Sequence, residues 1–395
     1  MIVDMGKTLI VYAGKYEEPT APTKRVRQFA MGLRSAGDEA CVISYSRRKR
    51  ENDEATSWVT DRWGVDYASV SITTGSIRNP RVFWDALTLS SRLGDMAAKA
   101  VQQRGFDRVL LYGDTWSILR DAIDRMRRAA VPIVADLNEW NLWNPLARMV
   151  LDQKLFRRFC VPKLSGIIGI SVFWADYARH LGKPMILLPA MGDDEFANLE
   201  TPNMDVFNLV YVGVLFRRDL PQTMIEGVRL ATRRGCNFRL IIVGRRNLFP
   251  EAKAILRQLV ADPLLRNRVE ITGWIEQERL REVYRDAGAF LLLRGNDRES
   301  RASFPTRLLE FLASGRPVIT SLTDDVALHF QHRHNAWLLP AGHEPEKLAD
   351  AICHLAVHRE EGIRIGRNGR DVANKNFCYR YHGQRLKEFL DGLRS

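Results

Sequence analysis

Ser303, Phe304, Pro305, Thr306 and Arg307 open the stretch ASFPTRLLEFLASGRPVIT, residues 302–320, and Glu310 follows shortly after them. The order of residue types predicts a loop, an amphipathic helix, a Gly-Arg-Pro turn and a β-branched strand. Ser303 is placed to cap the helix, and Pro305 suits its first turn, where a missing N–H costs nothing. Leu308, Leu309, Phe311 and Leu312 supply an apolar side. Gly315 ends the helix, and Pro317, Val318 and Ile319 begin the strand. A helix that opens beyond the carboxyl end of a strand points free N–H groups and a positive dipole at a crevice, which suits phosphate. Glu310 is a fixed carboxylate able to accept two hydrogen bonds from a diol such as a ribose.

Arginine recurs where a diphosphate would need it. Gly213 ends the apolar run LVYVG, and Arg217 and Arg218 follow. A guanidinium beside a strand-to-helix turn can pair two phosphate oxygens at once. Arg245 follows Gly244 in IIVGRR, and Arg294 opens an eight-residue loop, RGNDRESR, after the strand AFLLL. Surface arginines on a generally basic protein are the alternative for each position taken singly.

The elements that must hold these residues alternate along the whole chain. Strands are expected near 7–13, 39–45, 107–112, 131–136, 164–170 and 184–188, then near 207–213, 238–243, 268–272, 288–293, 316–320 and 335–339. Helical patterns fill the intervals, and 361–393 reads as helical outside the sheet pattern. Alternation of this kind means parallel sheets covered by helices. With 395 residues, 46% of them apolar and 27% charged, the chain is a folded globular protein too long for one comfortable core. Residues 191–206 are polar and aperiodic, so they are expected to link an N-terminal domain, 1–190, to a second, 207–375, with a terminal helix at 376–395.

The formal net charge is +12. A nucleotide diphosphate, an anionic membrane face and nucleic acid are the candidate partners, nucleic acid the weakest because no recognised binding motif accompanies the charge, and a generally basic solvated surface is the alternative. Seven of the nine tryptophans precede residue 175, and Arg47, Arg48, Lys49 and Arg50 form a basic run in the same half. That pairing suggests an acceptor with a sugar or lipid part at a membrane surface. Core tryptophans and a solvated loop would explain it equally. No apolar run approaches the ~20 residues that cross a bilayer, and no signal peptide is expected. The five cysteines are odd in number, scattered and free of C-x-x-C pairs, which argues for reduced thiols, a cytoplasmic setting and no zinc.

Residues 302–320 resemble the donor-site signature of retaining GT-B glycosyltransferases, glycosyltransferase family 4 above all. Glu310, Ala313, Gly315 and Pro317 fall on the second half of its E-x-F-G-x-x-x-x-E-A-x-A-x-G-x-P-V-I pattern. Ala302 stands where that pattern has its first Glu, and Glu299, three residues earlier, is a candidate stand-in. A branch reading S-P-T-K or F-P-x-K before L-x-E-Y-L-A fits more closely, with Arg307 at the Lys. The resemblance extends to IIVG at Gly244, to VEITGWI (269–275) and to DLNEW (136–140). It implies two Rossmann-like α/β domains facing across a cleft, the GT-B architecture, with the last helix crossing back to the first domain through Phe377, Tyr379, Tyr381 and Phe389.

By the same resemblance, Gly273, Trp274 and Ile275 would hold a nucleotide base. Arg217 or Arg218 would grip the diphosphate, although the family's G-R-x-x-x-x-K-G spacing is not reproduced. Asp136 and Glu139 would contact an acceptor hydroxyl, with Trp140 beside them and Lys24 and Arg25 on an acceptor-side loop. A strand-end Asp is also a common helix cap. No histidine precedes His180, so a carboxylate or the departing phosphate must take the proton. The implied activity is transfer of a hexose-type sugar from a UDP- or GDP-type donor to a carbohydrate or lipid-linked acceptor, with no divalent metal and no cofactor. A degenerate nucleotide-sugar-binding protein and a GT-B epimerase or hydrolase are the alternatives.

Overall fold

A computed structural model of the chain describes residues 5–47, 57–76, 78–141, 147–192, 196–197, 199, 206–215, 217–245 and 250–393. Residues 48–50 of the basic run, Trp143, Arg246 and most of the 191–206 segment lie outside the described residues. The chain divides into two compact units, Met1–Met191 with Tyr379–Ser395, and Gly192–Cys378.

The first unit is an eight-stranded sheet. Its strands are β1 (Lys7–Tyr12), β2 (Glu39–Arg47), β3 (Val59–Thr60), β4 (Asp66–Ile72), β5 (Arg108–Tyr112), β6 (Ile133–Leu137), β7 (Gly166–Gly169) and β8 (Met185–Leu187). They lie in the order β3-β4-β2-β1-β5-β6-β7-β8, and every neighbouring pair is parallel except β3 with β4. The helices are α1 (Ala21–Ser35), α2 (Pro80–Arg104), α3 (Trp116–Arg128), α4 (Ala147–Leu155) and α5 (Phe173–His180). The central strands are apolar along nearly their full length, because helices cover both faces of a parallel sheet. β4 was not expected from the sequence. Its Ser69 and Ser71 are buried, and Ser69 shares a 2.8 Å hydrogen bond with Ser44 of β2. Polar residues satisfied in this way hide a strand from an apolar count.

The second unit carries six parallel strands: β9 (Phe207–Val212), β10 (Phe238–Val243), β11 (Val269–Gly273), β12 (Ala289–Leu292), β13 (Val318–Leu322) and β14 (Trp337–Pro340). Their order is β11-β10-β9-β12-β13-β14. This is the 3-2-1-4-5-6 winding, which reverses between β9 and β12 and opens a crevice at their carboxyl ends. The helices are α6 (Pro221–Arg233), α7 (Pro250–Ala261), α8 (Gln277–Arg285), α9 (Arg298–Ala302), α10 (Thr306–Ala313), α11 (Asp324–Ala327), α12 (Pro345–Val357) and α13 (Arg359–Asn376).

A last helix, α14 (Tyr379–Gly392), belongs to the first unit and packs on α1. Gly32 and Gly383 make the crossing, since a Cβ on either would overlap the backbone of the other helix. Lys387 reaches Asp38 at 3.1 Å, and Arg108 pairs with both Asp38 and Asp391. Tyr379 and Phe389 pack against the first unit's core. The other two aromatic residues expected there go elsewhere. Phe377 is buried in the second unit against Phe304 and Phe330, and Tyr381 is exposed. The thiols also depart from expectation, because Cys236 and Cys353 form a disulfide across a Cα–Cα distance of 5.5 Å. Cys41, Cys160 and Cys378 remain free.

Candidate functional site

The crevice of the second unit is built on glycine. Gly213, Gly244 and Gly273 end the adjacent strands β9, β10 and β11, each with positive φ. Gly213 N–H donates to Val243 O at 2.7 Å and Gly244 N–H to Gly273 O at 2.9 Å. A Cβ on Gly244 would run into the carbonyl of Gly213, and one on Gly213 into the Arg307 guanidinium. The backbone at this strand edge is therefore open to close approach because only glycine fits. Trp274, just beyond, is 62% exposed, which excludes it from the core, and Ile275 is half-buried.

Residues 294–301 were expected to form an irregular loop. Part of that segment is instead the short helix α9, capped by Asp297, whose carboxylate accepts from the N–H groups of Glu299 and Ser300 at 3.0 and 3.1 Å. Ser303 does not cap α10. Its hydroxyl donates back to Glu299 O at 3.1 Å, closing α9, and Pro305 precedes the first turn of α10 with no side-chain cap. Phe304 and Pro305 are buried, Thr306 is exposed, and Glu310 is half-buried on α10. Ala302 is fully buried.

The arginines divide into two sets. Arg217 Nη2 pairs with Glu299 Oε2 at 2.8 Å, so these two expected ligands of phosphate and sugar hold each other. Arg218 is half-buried, and Arg245 is exposed. Arg294 and Arg307 converge on Asp219, a buried carboxylate the sequence reading passed over. Arg294 Nη1 lies 3.3 Å and Arg307 Nη2 3.5 Å from its Oδ1, and the Tyr211 hydroxyl donates to Oδ2 at 3.1 Å. Arg307 also donates to Val212 O. Burial opposes the Arg307 charge, but Tyr211 and Asp219 outweigh it and raise its pKa. For Arg294, burial prevails over Asp219 and lowers the pKa. The one signal for Asp219 in the sequence is its place directly after the Arg217–Arg218 pair.

In the first unit, Asp136 and Arg25 are turned toward each other. Arg25 Nε and Nη2 each donate to Asp136 at 2.8 Å, and Arg25 also donates to Pro189 O and Leu188 O. Both side chains are buried, which withdraws them from acceptor contact. Lys24 is half-buried and Glu139 exposed. Trp140 sits edge-on to Phe173 and Tyr177, with the Arg157 guanidinium 4.1 Å from its ring centre.

Asp114 is the carboxylate that sequence reasoning missed here. It follows β5, beside β1, where this sheet reverses its winding. Gln153 Nε2 donates to its Oδ1 at 2.9 Å, while its buried Oδ2 has no hydrogen-bond partner among the described residues, with Arg157 Nη1 3.6 Å away. Burial pushes its pKa up to about 6 against the pull of Gln153 and Arg157.

Residues 206–358 match the family described as Glycosyl transferases group 1. That match lies within the second unit, Gly192–Cys378. The amylovoran biosynthesis glycosyltransferase AmsK of Erwinia amylovora is 26% identical over 171 residues, which span 43% of this chain and 40% of AmsK. The sucrose-phosphate synthase of Thermosynechococcus elongatus superposes with a TM-score of 0.71 at 16% identity, covering 98% of this chain and 99% of that one. Anabaena Alr3699/HepE in complex with UDP gives 0.68 at 14% identity, covering 98% and 100%. The fold is GT-B, two Rossmann-like units with parallel sheets.

Proposed function

We propose that the chain is a retaining glycosyltransferase of cell-surface polysaccharide or glycan synthesis. It moves a hexose-type sugar from a UDP- or GDP-type donor to a hydroxyl of a carbohydrate or lipid-linked acceptor. The observation that carries this reading is the arginine cluster at the β9/β12 winding reversal, within the residues that match the group 1 glycosyl transferases. Support comes from AmsK, named for amylovoran biosynthesis, and from HepE, solved with UDP.

Loss of a diphosphate leaving group demands positive charge fixed in place before the bond breaks. Arg294, Arg307 and Arg218 supply it, together with the free N–H groups where α10 opens at Thr306. With that charge in place, transfer needs no divalent metal. Glu310 holds the ribose, and Gly273, Trp274 and Ile275 hold the base. On the acceptor side, the exposed Glu139 takes a hydroxyl, with Trp140 beside it. We place the protein on the inner face of the cytoplasmic membrane. Among the described residues no helix is long and apolar enough to cross a membrane, but α2 exposes Phe83, Trp84 and Leu87 close to Arg78 and Arg81, a composition suited to an anionic lipid face.

The test is a panel of UDP- and GDP-sugars, with and without polysaccharide-repeat or lipid-linked acceptors and after exhaustive chelation. The expected result is acceptor-dependent release of UDP or GDP that survives chelation, with anomeric configuration retained. Release independent of any acceptor would point to an epimerase or hydrolase. A second reading, donor binding without transfer, is favoured by the burial of Ala302 and the engagement of Glu299 with Arg217. Saturable donor binding with no turnover on any acceptor would select it.

A further inference from the structure

Asp219 lies between two guanidinium groups and a tyrosine hydroxyl, and Arg294 is left incompletely bonded. Arg294 is 9% exposed, and neither its Nε nor its Nη1 has a hydrogen-bond partner among the described residues. An unbonded buried donor on a cation costs free energy unless something else supplies acceptors. Arg307 is fixed from behind by Val212 O, and Asp219 touches both arginines through the same oxygen, Oδ1. Two cations to one carboxylate leave an excess of positive charge at the crevice.

The backbone beside Asp219 is strained. Leu220, between Asp219 and Pro221 at the start of α6, has φ 47° and ψ 56°, a left-handed conformation unusual for leucine. Such a residue persists only where its surroundings impose it, and functional sites are where such strain collects. Here it delivers the Asp219 carboxylate to the reversal point between β9 and β12.

We propose that Asp219 is a positioning residue that holds Arg294 and Arg307 side by side as a paired clamp for the two phosphates of a nucleoside diphosphate. The inference rests on the donor-site reading above and adds to it. The exposed Arg217, tied to Glu299, is not the main ligand, and a carboxylate, itself repelled by phosphate, organises the grip. The two roles of Asp219 have opposite signs. If it only diluted positive charge, removing its charge would tighten diphosphate binding. If it sets the spacing of the guanidinium groups, removing its charge loosens binding.

The experiment measures the dissociation constants of UDP, UMP, GDP and GMP by calorimetry on the full chain, for wild type, Asp219→Asn and Arg294→Lys. The quantity that decides is the gain from the second phosphate, the ratio of the monophosphate to the diphosphate constant, because a general folding defect weakens both alike. Wild type is expected to show a gain of tenfold or more for one nucleotide, and each variant to lose most of it. Arg294→Lys keeps the charge and removes the planar fork, so it tests the clamp even if Asp219→Asn folds poorly. A wild type that binds neither diphosphate would remove the donor-site reading and the clamp together. A wild-type gain that survives or grows in both variants would overturn the clamp and leave the donor site standing.

Discussion

Arg25 and Asp136, 111 positions apart, meet in a two-pronged ion pair that water does not reach, Nε to Oδ2 and Nη2 to Oδ1, each at 2.8 Å. Two parallel charge-assisted bonds give a guanidinium its most directional contact. The pair fastens α1 to the end of β6, and Arg25 extends the tie to Leu188 O and Pro189 O.

Removing one partner should therefore act on stability. Arg25→Met leaves a buried carboxylate uncompensated, at a cost of about 3–5 kcal/mol. Urea unfolding followed by tryptophan fluorescence would report it, since seven of the nine tryptophans precede residue 175. The double variant Arg25→Met/Asp136→Leu should recover part of the loss. A variant with unchanged stability and a raised KM for acceptor would return the pair to the substrate.

Glu310→Gln keeps the side-chain shape and removes the charge. If Glu310 holds ribose hydroxyls, charge-assisted bonds worth about 1.5–3 kcal/mol each weaken, and UDP or GDP affinity should fall about tenfold or more. Calorimetry decides, with circular dichroism to verify the fold. Equal affinity in the variant would remove Glu310 from the donor site.

Asp114 should set a pH dependence. Its folded pKa of about 6 exceeds the roughly 3.9 of an unfolded aspartate. The folded chain thus holds its proton more tightly than the unfolded chain across that window. Stability should fall as pH rises from about 4 to about 6 and level off above. Asp114→Asn has no such proton, so its advantage over wild type should grow through the window to at most ~2–3 kcal/mol. Denaturation at pH 4, 5, 6 and 7.5 tests this, and a constant difference would contradict it.

The Cys236–Cys353 bridge ties the turn before β10 to α12 across 117 residues. Reduction should destabilise the second unit by about 2–5 kcal/mol. Cys236→Ser should show the same loss and no further response to dithiothreitol. A melting temperature indifferent to reductant in the wild type would mean the bridge contributes nothing.

The sheet alternation and α10 were legible because apolar periodicity and turn residues are local signals. Gly213, Gly244 and Gly273 were legible for a related reason, since a glycine ending an apolar run marks a close approach. The contacts that assign roles were not. Arg217 and Glu299 are 82 positions apart, and nothing in either neighbourhood says that they neutralise each other. Asp219 and Asp114 follow strand ends as ordinary turn aspartates do, and only burial with specific partners sets them apart. The disulfide was invisible for the same reason, because pairing is decided by the meeting of α12 with the α6–β10 turn and not by spacing along the chain.

The first unit is written in two pieces, with α14 supplied only after the whole of the second. During synthesis the ribosome delivers this helix only after the second unit. Val26, Phe29 and Leu33 of α1, which share a core with Leu386 and Leu390, stay uncovered while residues 192–378 are made, roughly 10–40 s at ordinary elongation rates. The second unit is free to fold in that interval, and the first must wait. Its vulnerable state is a nascent one, with an apolar groove shaped for a helix not yet translated, and it is there that a chaperone or a neighbouring chain on the same messenger would find it.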